Sequence, residues 1–267
     1  MAEINRKKFK IFSLNANRPL AQEIADRIGV PLSDLTVNRF ADGEVQVNIN
    51  ETVRGHHVFV VQPTHNPVNE NLMELLVMID ALKRASAKTI NVIMPYYGYS
   101  RQDRKVKSRQ PITAKLVADL INSLNASSVR IFHAHSDKTL KLINNAVDME
   151  QFYNKTVTPD INKYDTICFP DAGAYKRYQN QINFFGKNTI VLKKRRNLDT
   201  GAIEGIEIDK ENSSIYYDIK NILVTDDLCD AGGTFLGAHK VLTDNFNCDN
   251  IDIFVRHMVN PIGIDNL

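Results

Sequence analysis

The run Ile222-Leu223-Val224-Thr225-Asp226-Asp227-Leu228-Cys229-Asp230-Ala231-Gly232-Gly233-Thr234-Phe235 joins an apolar stretch to a helical one through acids and small residues. Ile222 to Thr225 reads as a short buried strand and Gly233 to Leu242 as a helix. The acidic residues then stand at the strand's carboxyl end, and a small-residue loop opens the helix. That layout suits a sugar phosphate. Backbone N–H groups at the helix start hold the phosphate, and the carboxylates accept hydrogen bonds from sugar hydroxyls. An acidic turn before a helix is the plain structural alternative.

The same alternation extends outward on both sides. Strands are expected at Phe9 to Leu14, His57 to Val61, Thr89 to Met94, Ser128 to His133, Thr166 to Phe169, Thr189 to Leu192 and Ile251 to Val255. Glu44 to Asn50 alternates Val45, Val47 and Ile49 with polar residues, the pattern of a half-exposed strand. Asn69 to Ala85 is the clearest helix, because Leu72, Leu75, Leu76, Ile79 and Leu82 make one apolar face. Further helices are expected at Pro19 to Ile28 and Thr113 to Leu124. Strand–helix alternation implies an α/β protein whose largely parallel sheets carry helices on both faces. The pattern forms two blocks, 1–145 and 146–267, with the polar stretch 146–165 as their connection.

With 267 residues, 43% of them hydrophobic, the chain can build a substantial core. A net charge of +2 gives no global reason to expect nucleic acid or membrane partners. The three cysteines, Cys168, Cys229 and Cys248, are widely spaced and form no CxxC, which fits reduced thiols in the cytoplasm. Met1 to Lys10 is polar, without the apolar region of a signal peptide. No apolar run is long enough to span a bilayer.

Five further segments carry chemistry. In Asn38-Arg39-Phe40-Ala41-Asp42-Gly43-Glu44, an aromatic face and acidic acceptors suit a purine, although a turn between strands uses the same Asp-Gly. Tyr96 to Arg109 is a long loop that interleaves Tyr96, Tyr97 and Tyr99 with Arg101, Arg104, Lys105, Lys107 and Arg109. Arg101 and Arg104 suit nucleotide phosphates; a subunit contact or single-stranded nucleic acid are the alternatives. Phe132-His133-Ala134-His135-Ser136-Asp137 places histidines at a strand's end, where an imidazole binds phosphate or metal. Phe169-Pro170-Asp171-Ala172-Gly173 turns from strand to helix, with Arg177 further along that helix. Leu192-Lys193-Lys194-Arg195-Arg196-Asn197 ends a strand in cations; a charge run is commonly a solvated face, but pyrophosphoryl transfer also requires such charge.

The segment from Asn38 to about Asn122 resembles the ribose-phosphate pyrophosphokinases, which make phosphoribosyl pyrophosphate (PRPP). It includes Asn66-Pro67-Val68-Asn69-Glu70-Asn71-Leu72-Met73-Glu74-Leu75-Leu76, Asp80 to Ala87 and, most specifically, Tyr96 to Arg109. The opening run is similar to the ribose-5-phosphate loop of that family and of type I phosphoribosyltransferases. The resemblance implies two tandem phosphoribosyltransferase-like domains. It implies that Phe40, Asp42, Gly43 and Glu44 hold adenine, that Arg101, Gln102 and His135 reach ATP, and that His135 and Asp171 meet Mg2+. Asp171, Gly173 and Arg177 would form a pyrophosphate loop. Asp226, Asp227, Asp230, Ala231, Gly232, Gly233 and Thr234 would take ribose 5-phosphate. Lys194 and Arg196 would be catalytic, at the start of a loop that closes over ATP. Thr52 and Arg54 fall where the family has part of a phosphate-responsive site.

The chain departs from the family pattern in two places. His133 stands where an acidic residue is usual. Lys138 to Tyr153 replaces a glutamine-rich segment, and the stretch ending at Arg256 to Asn260 has no long tail. The expected activity is ATP + ribose 5-phosphate → PRPP + AMP, in a cytoplasmic homo-oligomer (a dimer or larger) with no nucleic acid or membrane partner. A non-catalytic regulatory relative and a PRPP-consuming phosphoribosyltransferase are the alternatives. The lack of a Gly-x-x-x-x-Gly-Lys-Ser/Thr motif speaks against a P-loop kinase.

Overall fold

A computed structural model describes residues 8–132, 134–149, 159–196, 203–216, 218–260 and 262–265. The chain packs as two compact units, Met1–Thr156 and Val157–Leu267. In the first, β1 (Phe9–Ser13), β4 (His57–Val61), β5 (Thr89–Met94), β6 (Ser128–Ile131) and β7 (Ala146–Asp148) form an all-parallel sheet in that order. β2 (Leu35–Arg39) and β3 (Val45–Ile49) form a separate antiparallel hairpin. The first sheet extends past the boundary expected at 145, because β7 adds to its edge beside β6.

Strand alternation divides this unit's core between the sheet's two faces. Ile11 and Val61 pack with Ala21 and Ala25 of α1 (Arg18–Ile28). Their neighbours Phe12 and Val60 pack with Leu72, Leu75, Met78, Ile79 and Leu82 of α2 (Val68–Arg84) and with Val117 and Ile121 of α3 (Thr113–Ser123). Leu75, Ile79 and Leu82 are fully buried, worth about 1.5–3 kcal/mol each relative to exposure. The helical spacing of the expected apolar face is thus the face that docks. α4 (Asp137–Leu142) follows β6 and is capped by Ser136, whose side chain accepts from the Lys138 N–H.

The second unit has the order β10 (Ile203–Ile208), β9 (Asn188–Arg196), β8 (Thr166–Phe169), β11 (Asn221–Cys229) and β12 (Asn250–Met258). All neighbours are parallel except β9 and β10. One face carries α5 (Ala172–Phe185), with Ala174 and Tyr178 against Ile167, Val191 and Leu223. The other carries α6 (Gly233–Asn245), with Phe235, Ala238 and Leu242 against Ile190, Ile222 and Val224. A short α7 (Ile262–Asp265) follows β12.

Two differences from the expected elements matter for the site. β11 does not stop at Thr225: it runs on to Cys229 because β12 continues beside it, so Asp226 lies within the ladder opposite Val255. Lys194 and Arg196 lie within β9, which continues through both and pairs back on β10, with Lys194 opposite Ile206 and Arg196 opposite Ile203. Residues 197–202, the rest of the expected loop, lie outside the described residues, as do His133 and residues 150–158 of the expected connection. Among the described residues, no helix is long and apolar enough to cross a membrane. The three cysteines are free thiols.

Candidate active site

The residues expected to take the sugar phosphate lie in the second unit. Asp171 follows β8 and caps α5, its Oδ1 accepting from the Ala174 N–H at 2.9 Å. Gly173 belongs to this turn, since a Cβ there would stand 3.1 Å from Asp171 Oδ1. Asp226 and Asp227 come from β11. Asp227, 5% exposed, is held by Arg177 of α5 through Nη1 and Oδ2 at 2.7 Å. Arg177 therefore ties α5 to the acidic strand, where the resemblance alone had implied a phosphate contact. Asp226 Oδ1 accepts from the Asp227 N–H at 2.8 Å. Burial, then the hydrogen bond and repulsion from Asp227, with Asp171 adding, push the Asp226 carboxyl up to about 8. A buried and a half-buried carboxylate beside a third make a place where positive charge or hydroxyl donors are favoured.

The loop after β11 completes this side. Gly232 precedes α6 at φ 80°, a left-handed conformation that glycine adopts without the Cβ penalty. A Cβ on Gly233 would meet nothing within 4 Å, so the chain leaves open space at the helix start. There the N–H groups of the first turn, including Gly233 and Thr234, have no acceptor within the helix. Asp230 and Ala231 lead into this turn.

The residues expected to take the nucleotide lie in the first unit. Phe40 to Glu44 is the tip of the β2–β3 hairpin, as the turn reading of Asp-Gly anticipates. The Phe40 N–H donates to the Glu44 carbonyl, the Gly43 N–H to the Phe40 carbonyl, and the Glu44 N–H to Asp42 Oδ1. Gly43 takes φ 93°. Phe40 is 52% exposed at this tip, an aromatic face held open by a rigid turn.

A cleft of about 480 Å³ lies in the same unit, bordered by Asn69, Glu70, Tyr99, Arg101 and Gln102. The chain just before Tyr99 is fixed by close packing. A Cβ on Gly98 would come within 2.4 Å of the Thr64 carbonyl, and buried Tyr97 donates its hydroxyl to the Ala114 carbonyl. Tyr99 donates its hydroxyl to Asn69 Oδ1. Gln102 has a structural task besides the expected one: its side-chain oxygen accepts from the Thr113 hydroxyl at 2.6 Å and its carbonyl from the Ala114 N–H, which caps α3. His135 is half-buried beyond the end of β6. Lys194 is exposed on β9, and its neighbour Lys193 faces Glu207 across the ladder at 3.5 Å. The side chains of Arg195 and Arg196 lie outside the described residues.

Comparison with known proteins bears on both units. The profile of the N-terminal domain of ribose phosphate pyrophosphokinase matches residues 9–124. Ribose-phosphate pyrophosphokinase 2 of Enterococcus faecalis is 42% identical over 252 residues, covering 89% of this chain and 73% of that one. The chain belongs to the ribose-phosphate pyrophosphokinase family. The enzyme of Thermosipho africanus is 44% identical over 91% of this chain and 76% of its own. Among solved structures, the phosphoribosylpyrophosphate synthetase of Mycobacterium smegmatis superposes with a TM-score of 0.80 at 31% identity, over 94% of this chain and 82% of that one. A ribose-phosphate pyrophosphokinase therefore stands on this α/β fold, and the resemblance read from the motifs holds for nearly the whole chain.

One supporting residue of this pyrophosphokinase carries no motif. Gly263 of α7 lies so close to the loop Asp230 to Thr234 that a Cβ would stand 2.2 Å from the Asp230 carbonyl oxygen and 2.9 Å from Met258 Sδ. The Val259 N–H donates to the Cys229 carbonyl beside it. Gly263→Ala must shift the loop backbone, because a carbonyl cannot swing away as a flexible side-chain tip can. We expect it to raise the KM for ribose 5-phosphate about 10- to 100-fold, the scale on which small misplacements act, with the KM for ATP unchanged. Steady-state kinetics with each substrate varied in turn checks this.

Proposed function

We propose that the two units divide one transfer between them: the first holds ATP, the second holds ribose 5-phosphate. The ribose C1 hydroxyl attacks the β-phosphorus of ATP. A C1–O–Pβ bond forms, the bridge to the α-phosphorus breaks, and AMP leaves as PRPP is made. The hydroxyl proton is released in the same exchange. The observation that carries the reading is the acidic cluster of Asp171, Asp226 and Asp227, anchored by Arg177 and followed by an open helix start. A sugar phosphate needs hydroxyl acceptors and a phosphate seat, and the carboxylates and the open helix start support that reading.

Each side chain then has a task. Asp226 and Asp227 accept from ribose hydroxyls, and the turn Asp230 to Thr234 holds the 5-phosphate by its N–H groups. Phe40 stacks on adenine, with Asp42 and Glu44 accepting from its exocyclic amine. Arg101 and Gln102 face the nucleotide from the cleft. Arg177 and Gly173 keep the pyrophosphate turn in shape. Lys194 and Arg196 neutralise charge that spreads over the transferring phosphates, so catalysis comes from positioning and electrostatics rather than a covalent intermediate.

Magnesium fits this donor set. Among the described residues no group of three His, Cys, Asp or Glu could enclose a metal. Mg2+ requires no such cage: it takes one or two carboxylates and completes its shell with waters and substrate phosphates. Asp171 would supply such an oxygen, beside the Asp226 carboxyl that burial first, and Asp227 second, push up to about 8. His135, in the first unit, would offer a nitrogen to the nucleotide phosphates or to a metal ion they carry. When bound, magnesium neutralises triphosphate charge.

The reaction belongs in the cytoplasm, where ATP is supplied and thiols such as Cys168 and Cys229 stay reduced. The family resemblance supports a homo-oligomer in which the Tyr96 to Arg109 loop, where Val106 is 77% exposed, meets another copy. No nucleic acid or membrane takes part. Ribose 5-phosphate-dependent release of AMP tests the activity. Phe40→Ala tests the adenine assignment separately. Stacking on an aromatic is worth about 1–3 kcal/mol per base, so the KM for ATP rises about 5- to 100-fold. Thermal stability stays unchanged because the ring is exposed and packs no core. A destabilised variant with an unaltered KM would remove Phe40 from the site.

A further inference from the structure

Arg39 ends β2 and adjoins Phe40. Its guanidinium bridges two carboxylates one turn apart on α2. Nε and Nη2 reach Glu70 Oε2 at 2.9 Å, and Nη2 donates to Glu74 Oε1 at 2.7 Å. Glu70 borders the cleft that also presents Arg101 and Gln102. Glu74 is 1% exposed and spends its remaining acceptor capacity inside the unit. Its Oε1 also accepts from Asn15 Nδ2 at 2.8 Å, just after β1. Its Oε2 accepts from Gln62 Nε2 at 3.2 Å, just after β4, and from the Asn15 N–H at 3.3 Å. Gln62 in turn donates to the Asn71 carbonyl and accepts from the Ala16 N–H.

A buried carboxylate is tolerated only when paired and hydrogen-bonded, and this one is both. The rest of the hairpin's attachment is apolar: Val37, Val47 and Ile49 pack against the core that includes Leu72 and Leu75. Apolar contact is non-directional. It keeps the hairpin on α2 without fixing where along the helix its tip stands. The bidentate geometry of Arg39 does fix that point.

We propose that Glu74 is a positioning residue for the nucleotide donor: through Arg39 it sets where Phe40, Asp42 and Glu44 stand relative to the cleft of Arg101 and Gln102. The inference rests on the reading that the hairpin tip takes adenine. Glu74 touches no substrate. The ends of β1 and β4 hold the carboxylate, the carboxylate holds Arg39, and Arg39 holds the foot of the hairpin.

Two variants test this. Glu74→Gln keeps the volume but turns one acceptor into a donor, which must then face either Arg39 or the Gln62 and Asn15 donors. Arg39→Lys keeps the charge but loses the planar fork that spans Glu70 and Glu74. AMP formation is measured with each substrate varied, and amide hydrogen exchange across residues 35–49 is measured without substrates. We expect the KM for ATP to rise about tenfold in both variants, the KM for ribose 5-phosphate to stay within about twofold, and exchange across the hairpin to quicken. If Glu74→Gln does not fold, Arg39→Lys decides. An unmoved KM for ATP in a folded variant, an equal rise in both KM values, or failure of both variants to fold overturns the proposal. Absence of ribose-dependent AMP from the unmodified protein overturns the functional reading instead, and the exchange measurement still decides whether the pair holds the hairpin.

Discussion

Lys194→Ala lowers kcat about 100- to 1,000-fold while both KM values stay within about threefold. Removing one preformed partner of developing transition-state charge costs on that scale, and only interactions stronger in the transition state than in the ground state act on kcat. The location of Lys194 favours a clean result. It is exposed on β9, so its truncation exposes no core. The neighbouring Lys193 is a control of similar charge: it faces Glu207 across the ladder, and Lys193→Ala leaves kcat within about twofold. Rapid-quench measurement of a single turnover separates the chemical step from product release. Full activity in Lys194→Ala would remove this residue from the chemistry.

Asp226→Asn has two opposite effects. The KM for ribose 5-phosphate rises about 10- to 100-fold, the value of a hydrogen bond to a charged acceptor. Stability of the substrate-free, magnesium-free protein rises by about 1–3 kcal/mol at pH 8.5, because a desolvated charge beside two other carboxylates is removed. The pH dependence gives the sign. In the folded chain the Asp226 carboxyl is raised to about 8 from a value near 4 in the unfolded chain. The folded state therefore holds the extra proton, and the contribution is fully present below about pH 4 and lost as pH rises through 8. The unmodified protein loses stability across that window, and the Asn variant loses less. Chemical denaturation at pH 5 and 8.5 should show the gap between the two proteins widening with pH. A constant gap would mean that Asp226 is already ionised at the lower pH.

These two residues illustrate what sequence can and cannot carry. Lys194 and Asp226 are visible in short motifs, and the strands at His57 to Val61, Thr89 to Met94 and Thr166 to Phe169 appear with the bounds expected of them, because each is a compact apolar run buried between layers. β2 is less visible: Leu35-Thr36-Val37-Asn38-Arg39 is half-exposed and owes its form to β3. β7 is three residues long and exists only against β6. The continuation of β11 through Asp226 depends on β12, whose own length depends on β11. Such mutual support lies between segments, outside any local pattern.

The same holds for the supports of the site. Arg177 could be read as a residue on the helix after Asp171, but its partner Asp227 belongs to another strand. Glu74 occupies one position on the amphipathic α2, where a polar residue among leucines reads as solvent-facing. Its partners Asn15 and Arg39 lie 59 and 35 residues away in sequence. Gly263 makes its contact through the atom it lacks. Residues that touch substrate recur in motifs, whereas those that hold them in place are specified by packing.

The decisive measurement is the fate of the two outer phosphates of ATP labelled separately at the β- and γ-positions, in the presence of magnesium and ribose 5-phosphate. Both labels should appear together on the C1 oxygen of ribose 5-phosphate, with one AMP released for each PRPP formed and none without the sugar phosphate. Transfer of the γ-label alone with release of ADP, or AMP formation independent of ribose 5-phosphate, would contradict a pyrophosphoryl transfer by this chain.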